Sequence, residues 1–295
     1  MKEVMIPKET LEDLYWNKNF TTNEIAKKFG IKHGRIILKK FKKYGIPSKT
    51  VSQALTRKFK KDFDGNPLEN AYLLGLRAGD FHCRRNRLSL RVQTSTTHPA
   101  LVNLMKESFG KYGLVLSYLY EDNAQKREWF IYSDLNSSFE FLLNKPRVMP
   151  AWILKEDNFF FSFFAAYMDC EGCWMISKSH KKFARFIFKL SSGDYDILLQ
   201  LKEKLISLGY SPLLYISREK GTNSPYGKNN QDHYTLILNR KDEIITLVPF
   251  LLKYSRHDEK IIKMKFILNH RDSLWKDLES GWNEIREETK EGVLK

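Results

Sequence analysis

Cysteine and proline are scarce in this chain, which has three cysteines and nine prolines among its 295 residues. Three cysteines cannot build the disulfide framework of a small secreted domain, so a reducing, intracellular compartment is expected. Long apolar runs are also missing: the longest, Phe159–Met168, is interrupted by Ser162 and falls short of the ~20 residues of a membrane span. Met1–Lys8 shows no pattern of a secretory signal. These features favour a cytoplasmic protein with no membrane partner.

Acidic residues are few relative to basic ones, 35 Asp and Glu against 50 Lys and Arg, which gives a net charge of +15 at pH 7. A positive field of this size favours polyanions, and nucleic acid is the first candidate. Hydrophobic residues make up 42% of the chain and charged residues 29%, proportions that exclude overall disorder. We therefore expect a globular protein that is associated with nucleic acid, in the cytoplasm at the nucleoid.

The first fifty residues show the pattern of a helix-turn-helix. Thr21 and Glu24 have the spacing of a capping box, which predicts the start of a helix. Gly30 can end that helix, and a second helix is predicted over Gly34–Tyr44. Four cations of the second helix are predicted to contact DNA: Arg35, Lys39, Lys40 and Lys43. A small helical bundle with a solvated basic face would show the same pattern.

From Asn66 onward the pattern of helices and strands repeats after about ninety residues, too long a period for a solenoid unit. Both copies have the order α-β-β-α-β-β-α, which predicts an α+β (mixed α/β) fold built from two halves related by a pseudo-twofold axis. The predicted segments are a helix-turn-helix-like domain (1–50), a basic linker (51–65), repeat 1 (66–156), repeat 2 (157–255) and a carboxy-terminal helical extension (256–295).

The first helix of each copy ends in an acid, Asp80 in the first copy and Glu171 in the second. Small residues in both helices, Gly75, Gly79 and Ala166 among them, would allow the helices to pack closely and bring the two acids together. Mg²⁺ is commonly held by one or two carboxylates together with phosphate oxygens of a substrate. Metals held by paired acids can stabilise both the attacking and the leaving oxygen of a phosphodiester.

The paired segments LLGLRAGDF, which ends at Phe81, and FAAYMDCEG, which ends at Gly172, resemble the motifs of LAGLIDADG homing endonucleases in their two-motif, single-chain form. The resemblance covers about residues 66–255. It implies that Asp80 and Glu171 bind the metal and are catalytic, that Mg²⁺ is the cofactor with Mn²⁺ as a substitute, and that the strands form a DNA-binding saddle. The first copy departs from the motif at Ala78, where the family has an acid, and at Phe81, where it has glycine.

The same resemblance implies a basic residue near the end of the last helix of each half, beside the scissile phosphate. The segments Phe141–Leu143 and Phe250–Leu252 are alike, and the lysines that follow them, Lys145 and Lys253, are the candidates. Arg256 is an alternative to Lys253. Their charge would stabilise the phosphorane-like transition state. A lysine at the carboxy-terminal end of a helix is also favoured by the helix dipole alone.

The strands after each motif alternate polar and apolar residues, which places the two kinds on opposite faces of a sheet. The predicted DNA-contacting residues are Arg85, Arg87, Ser89, Arg91 and Gln93 in the first copy, and Lys178, Lys181, Lys182, Arg185 and Lys189 in the second. Arg and Gln can read guanine and adenine edges in the major groove. A half-exposed antiparallel sheet always has a polar outer face. That explanation does not account for the absence of acids from Arg84 to Lys106.

Together these features predict a monomeric, site-specific endonuclease whose partner is double-stranded DNA. The resemblance to the family implies that the cut is staggered, with short 3′ overhangs. The alternative is a catalytically inactive protein of the same fold, either a transcription regulator or an intron maturase, which would then bind RNA. Ala78 and Phe81 favour the alternative, whereas the retention of both acids favours the enzyme.

Overall fold

The computed structural model describes residues 4–18, 20–49, 60–87, 89–121, 127–179, 183–224 and 227–289. The chain divides into two compact units, Met1–Phe59 and Lys60–Lys295. Each unit has a hydrophobic core of its own. Residues 51–59 of the predicted basic linker lie outside the described residues. No helix in the described part of the chain is both long enough and apolar enough to span a membrane.

The amino-terminal unit is helical. Its elements are α1 (Lys8–Glu12), which continues as a π-helical turn (Asp13–Asn17), α2 (Thr22–Lys28) and α3 (Gly34–Tyr44). The predicted capping box is present, because Glu24 N donates to Thr21 Oγ1 at 2.8 Å and Thr21 N donates to Glu24 Oε2 at 2.6 Å. Buried residues such as Leu11, Ile25 and Phe41 form its core.

The larger unit contains the predicted repeat of elements. Its first half has α4 (Pro67–Ala78), β1 (His82–Asn86), β2 (Ser89–Thr96), α5 (Pro99–Phe109), β3 (Val115–Glu121) and β4 (Arg127–Leu135). Its second half has α6 (Ala151–Lys155), α7 (Asp157–Glu171), β5 (Gly172–Ser179), β6 (Phe183–Ser192), α8 (Tyr195–Ser207), β7 (Leu213–Arg218), β8 (Asn223–Ser224), β9 (Gly227–Lys228), β10 (His233–Leu238) and α9 (Lys241–Leu252). Two further helices follow, α10 (Asp258–Asn269) and α11 (Trp275–Glu288).

Each half forms a four-stranded antiparallel sheet, and the two sheets have the same connectivity. The strand orders are β1-β2-β4-β3 and β5-β6-β10-β7, so the equivalent strands occupy equivalent positions. The predicted α+β class and its duplicated order are therefore confirmed. The hairpin β8–β9 has no counterpart between β3 and β4 in the described residues of the first half.

The third helix predicted in the first half, over Ser137–Asn144, is a short 3₁₀ helix over Ser137–Leu142. Asn136 caps it by accepting a hydrogen bond from Ser138 N at 3.1 Å. Pro146 lies just beyond its end and cannot continue a helix, which limits its length.

The two motif-bearing helices are the centre of the core. In α7 every residue from Phe160 to Asp169 is buried, and in α4 every residue from Ala71 to Ala78 is buried. A helix that is buried all round must be covered by other elements on every side. α4 and α7 pack against each other, and α7 also contacts β5, β6 and α9. This central pair fixes the position of the residues at its ends.

Candidate active site and nucleic-acid interface

Helices α4 and α7 pack closely at their carboxy-terminal ends because small residues lie between them. A Cβ added at Gly75 would stand 2.4 Å from the carbonyl oxygen of Phe163. A Cβ added at Gly79 would stand 2.5 Å from the Cβ of Cys170. Such an approach is possible only where side chains are absent or small, so these glycines set the distance between the helix ends.

The carboxylates of Asp80 and Glu171 emerge at these ends. Asp80 directly follows Gly79, and Glu171 is the last residue of α7. Burial raises the pKa of Glu171 to about 7, and the negative charge of Asp80 is the next cause. Protein atoms around Asp80 raise its pKa as well, although its side chain keeps access to solvent. The structure thus brings the two predicted acids together, because the residues that precede them, Gly79 and Cys170, lie against each other.

Two lysines face the acid pair. The positive charges of Lys260 and Lys145 lower the pKa of Asp80 and of Glu171, against the effect of burial. Lys145 Nζ donates to Asp194 Oδ2 at 3.1 Å, and Lys260 Nζ donates to the carbonyl oxygen of Gly172. Cations from two separate segments of the chain therefore flank the acids.

Lys253, the second lysine predicted for this role, lies elsewhere. Its Nζ is 3.4 Å from Asn158 Oδ1 in the first turn of α7. A rise of ~1.5 Å per helical residue separates that turn from Glu171 by roughly 20 Å. The alternative, Arg256, binds both carboxylate oxygens of Glu69, at 3.1 and 2.5 Å. The predicted position of Lys253 beside the acids is therefore wrong.

Sequence reasoning missed Lys260 because it lies beyond the second repeat, in α10. Its neighbours Asp258 and Glu259 are acids in the first turn of that helix, where the dipole favours negative charge. Lys260 stands in the same turn, where the dipole disfavours a cation. That mismatch is the signal in the sequence that could have singled out this residue.

The two departures from the motif are both buried in the core. Ala78 is completely inaccessible to solvent, and Phe81 is 1% exposed. The ring of Phe81 packs against Phe109 with a centroid distance of 6.0 Å. Phe81 therefore fills the core of the first half, while Asp80 beside it keeps access to solvent.

The outer face of the first sheet carries polar residues, but not all of the predicted ones. Ser89, Arg91 and Gln93 are partly exposed and alternate with buried Leu90 and Val92. In the register of β1 and β2, Arg91 lies opposite Arg84 and Gln93 lies opposite His82. Arg84 thus joins this face, which sequence reasoning did not foresee.

Arg85 and Arg87 do not share that face. Arg85 lies opposite buried Leu90 and forms an ion pair with Glu140 at 2.9 Å. Arg87 lies in the turn between the strands with a φ of 56°. Strict alternation along the sequence does not continue through a turn, which is why the prediction placed these two residues incorrectly.

Cations in and beside the first sheet have protein partners. Arg91 binds Asp134 in a bidentate arrangement, with distances of 2.9 and 2.8 Å, and its guanidinium lies 4.0 Å from the centre of the Tyr132 ring. Lys60 Nζ donates to Ser89 Oγ at 2.8 Å. Arg91 is therefore held in a fixed orientation on the outer face.

In the second sheet, Arg185 and Lys189 lie on the outer face, alternating with buried Phe186 and Phe188. Ser177 pairs with Arg185 and therefore shares the outer face. Its neighbour Lys178 is exposed but lies on the opposite face of β5. The two further predicted contacts at the tip of this hairpin, Lys181 and Lys182, lie outside the described residues.

In α3 the predicted cations Arg35, Lys39 and Lys43 are exposed, whereas Lys40 is 5% exposed. Lys40 lies on the core side with Ile37 and Phe41, because positions three and four residues apart share one helix face. It cannot reach a ligand on the exposed side. The two predicted helices and the exposed basic face of α3 are present, and a small helical bundle with a solvated basic face would show them too.

The chemistry of the acid pair suits a divalent cation. Mg²⁺ prefers oxygen ligands and takes only one or two carboxylates when substrate phosphates complete its shell. Asp80 and Glu171 supply two such carboxylates. No cluster of three or more His, Cys, Asp and Glu side chains that could hold a metal occurs among the described residues. Two carboxylates alone would leave most of the shell of a cation to water and to phosphate oxygens.

Comparisons with solved structures found similarity to proteins described as homing endonucleases. The homing endonuclease I-WcaI bound to its DNA recognition sequence is 14% identical, with 69% of this chain and 86% of that chain covered and a TM-score of 0.47. LAGLIDADG homing endonuclease I-GzeII in complex with its DNA target is 11% identical, with coverages of 76% and 97% and a TM-score of 0.43. I-DmoI in complex with DNA and Ca is 16% identical, with coverages of 63% and 90% and a TM-score of 0.39. No family model and no curated protein matches the sequence.

Proposed function

We propose that this chain is a monomeric, site-specific endonuclease that hydrolyses phosphodiesters of double-stranded DNA. The observation that carries the proposal is the pair of carboxylates, Asp80 and Glu171, at the ends of two close-packed helices and between two lysines. A protein that only bound DNA would gain nothing from two acids beside a phosphate, since they repel it. The acids become useful when they hold a divalent cation against that phosphate.

Asp80 and Glu171 would hold Mg²⁺, with Mn²⁺ as a substitute. When bound, the cation would lower the pKa of a water molecule and neutralise charge that develops on the phosphate. Lys145 and Lys260 stand beside the acids and would stabilise the negative charge of the transition state. The close packing at Gly79 would limit the separation of the carboxylates, and therefore the spacing of the two cleavage positions.

DNA would lie along the outer faces of the two sheets. Arg84, Arg91 and Gln93 of the first sheet, with Arg185 and Lys189 of the second, would contact base edges and phosphates. Arg35, Lys39 and Lys43 in the amino-terminal unit would add contacts to flanking phosphates. Their role would be affinity, because the acid pair belongs to the other unit.

The test is incubation of the full chain with a library of random duplexes in Mg²⁺, followed by sequencing of the cut ends. We expect a preferred site and short 3′ overhangs. Asp80→Asn and Glu171→Gln should each slow cutting of at least one strand by about 100-fold or more, because the charge that holds the cation is removed. Binding in metal-free buffer should be equal or tighter, because a carboxylate no longer repels the phosphate.

Controls come from the same elements. Glu156→Gln changes an exposed acid at the opposite end of α7 and should leave cutting unchanged. Lys260→Met should slow cutting, whereas Lys253→Met should not. If the intact chain binds a target but never cuts it in Mg²⁺ or Mn²⁺, the second candidate function holds. That candidate is an inactive DNA- or RNA-binding protein, favoured by the absence of an acid at Ala78.

A further inference from the structure

The outer face of the first sheet carries a row of aromatic rings that the proposed endonuclease function does not explain. This aromatic row consists of Tyr118 in β3 and of Phe130 and Tyr132 in β4. The ring centres of Tyr118 and Phe130 are 5.3 Å apart, and those of Phe130 and Tyr132 are 6.0 Å apart. The Arg91 guanidinium continues the row, 4.0 Å from the centre of the Tyr132 ring.

The register of the strands places these rings on the side away from the core. In β4, Ile131, Ser133 and Leu135 are buried, while Phe130 and Tyr132 alternate with them and keep part of their surface exposed. Tyr118 lies opposite Phe130 in the β3–β4 pair and is 50% exposed. Large aromatic residues on an exposed sheet face are costly to leave in water, which suggests that they have a ligand.

Among the residues that the structure describes, the second sheet has no such row at the equivalent strands. In the pair β7–β10, Tyr215 lies opposite Thr235, and Thr235 is buried and bonded to Ser191 Oγ at 2.8 Å. The next residue of β10 on the same face, Ile237, is aliphatic and not aromatic. Because the two sheets share one topology, the aromatic row is a property of the first half and not a requirement of the fold.

We propose that the aromatic row binds single-stranded nucleic acid by stacking on unpaired bases. In a duplex the faces of the bases are covered by their neighbours, and only the edges are accessible in the grooves. An aromatic ring can stack on a base only when that base is unpaired, and every base has a face that will stack. Aromatic residues on an open four-stranded sheet are an established arrangement for this purpose.

The charge of the surrounding surface fits such a ligand. Arg91 in β2 lies at one end of the row, and Arg84 lies opposite it in β1. Lys60, which precedes α4, lies near them because its Nζ donates to Ser89 Oγ at the start of β2. The sequence from Arg84 to Gln93 contains cations and no acid, and the acid that faces these strands, Asp134, is already paired with Arg91. Arg84 and Lys60 can follow the phosphates of a strand whose bases stack on the rings. Asp134 holds the Arg91 guanidinium against Tyr132, where it extends the stacking surface and can add a cation–π contact to a base.

This inference goes beyond the proposed endonuclease function and predicts competition with it. A duplex lying along the outer face of the first sheet would cover the aromatic row. Single strands and target duplex should therefore exclude each other, even though the acid pair takes no part in stacking. Unpaired bases occur in RNA and in separated DNA strands alike, so both are included in the test.

The test uses the full chain and fluorescence anisotropy with labelled twelve-nucleotide oligo-dT and oligo-U in metal-free buffer. Tyr118→Ala and Phe130→Ala should each weaken binding by roughly 5- to 100-fold, the effect of losing one base–aromatic stack. Tyr215→Ala removes the exposed tyrosine of β7 in the second sheet and should leave the Kd unchanged. Tyr118 is half exposed in an edge strand, so its substitution keeps the fold even if that of Phe130 does not.

Tighter binding of oligo-U than of oligo-dT would identify RNA as the ligand, and equal binding would identify stacking alone as the basis. The proposal is wrong if the intact chain binds neither oligonucleotide, if Tyr118→Ala and Tyr215→Ala bind alike, or if the aromatic substitutions weaken only duplex binding. Binding of single strands is measured without metal and without cutting, so it does not depend on the catalytic role of the acid pair. A failure to cut DNA therefore does not contradict this inference. A failure to bind single strands does not contradict the endonuclease function.

Discussion

At the scale of single residues, Asp169 is a buried acid that does not belong to the acid pair. Its carboxylate accepts hydrogen bonds from Tyr72 Oη at 2.7 Å, from Ser255 Oγ at 2.5 Å and from Arg256 N at 2.9 Å. Burial raises its pKa to about 6, although these donors act in the opposite direction. Asp169 thus joins α7 to α4 and to the segment after α9, which is a structural role.

The residue next to that segment, His257, makes folding sensitive to acid. It is 6% exposed, its Nδ1 has no hydrogen-bond partner among the described residues, and Lys260, Glu259 and His98 lie near it. Burial lowers the pKa of His257 to about 3, from a value of 6.5 in an unfolded chain. Between these values the unfolded state binds a proton and the folded state does not.

The free energy of unfolding should therefore fall as the pH is lowered from 6.5 towards 3, by up to ~1.4 kcal/mol per pH unit from this residue. Urea unfolding of His257→Gln over that range should show a weaker pH dependence. Asp169 has the opposite effect on the free energy of unfolding, because its raised pKa favours folding as the pH falls from about 6. Only the difference between the variant and the intact chain therefore reports on His257. His82→Gln, an exposed control, should follow the intact chain; equal curves for all three would contradict the prediction.

At the scale of elements, the helix ends are where local sequence was most informative. Thr21 and Glu24 predicted the start of α2 because a capping box needs only residues three apart. The alternation of β2 predicted its buried face for the same local reason. Arg85 was misplaced because the position of the turn, and therefore the phase of alternation in β1, is set by strand pairing.

The candidate site shows the same division between local and tertiary information. The two acids could be predicted because the repeat itself aligns them at the ends of equivalent helices. The cations could not, because Lys253 and Lys260 both follow α9 closely in sequence, and only the fold decides that Lys260 reaches the acids. Lys40 was misjudged because a long aliphatic side chain can lie on a helix's buried face.

The contact between Gly79 and Cys170 should control both stability and cutting. Gly79→Ala would place a methyl group 2.5 Å from the Cβ of Cys170, so the helix ends must move apart. We expect a loss of ~1–3 kcal/mol in the free energy of unfolding, as for overpacked cores. Cutting should fall further than stability explains, because the acids follow the helix ends.

Cys170→Gly creates room for that methyl group and provides the matched control. Although Cys170→Gly alone should be destabilising in a helix, the double variant should be more stable than the sum of the two single effects predicts. Urea unfolding of the four proteins measures this coupling. If the two effects simply add, the close contact of the helices does not limit their separation.

At the scale of the whole molecule, the net charge of +15 is divided between two units with separate cores. In the larger unit, Arg84, Arg185 and Lys189 are among the cations that lie on the outer faces of the sheets. In the amino-terminal unit, Arg35, Lys39 and Lys43 lie on the exposed side of one helix. Phosphate contacts by the second group can be measured separately from cutting, because the acid pair belongs entirely to the larger unit.

We expect α3 to contribute to affinity through release of counterions. Each phosphate contact adds ~0.9 to the slope of log K against log salt concentration, so Arg35→Ala/Lys39→Ala should reduce that slope by about 1.8. The control, Lys8→Ala/Lys18→Ala, removes the same charge from the same unit, at residues paired with Glu12 at 3.8 Å and with Asp13 at 2.6 Å. It should leave the slope unchanged. Binding is measured on one duplex at several salt concentrations. Equal slopes for the two double variants would mean that the slope depends only on net charge and that α3 does not contact DNA.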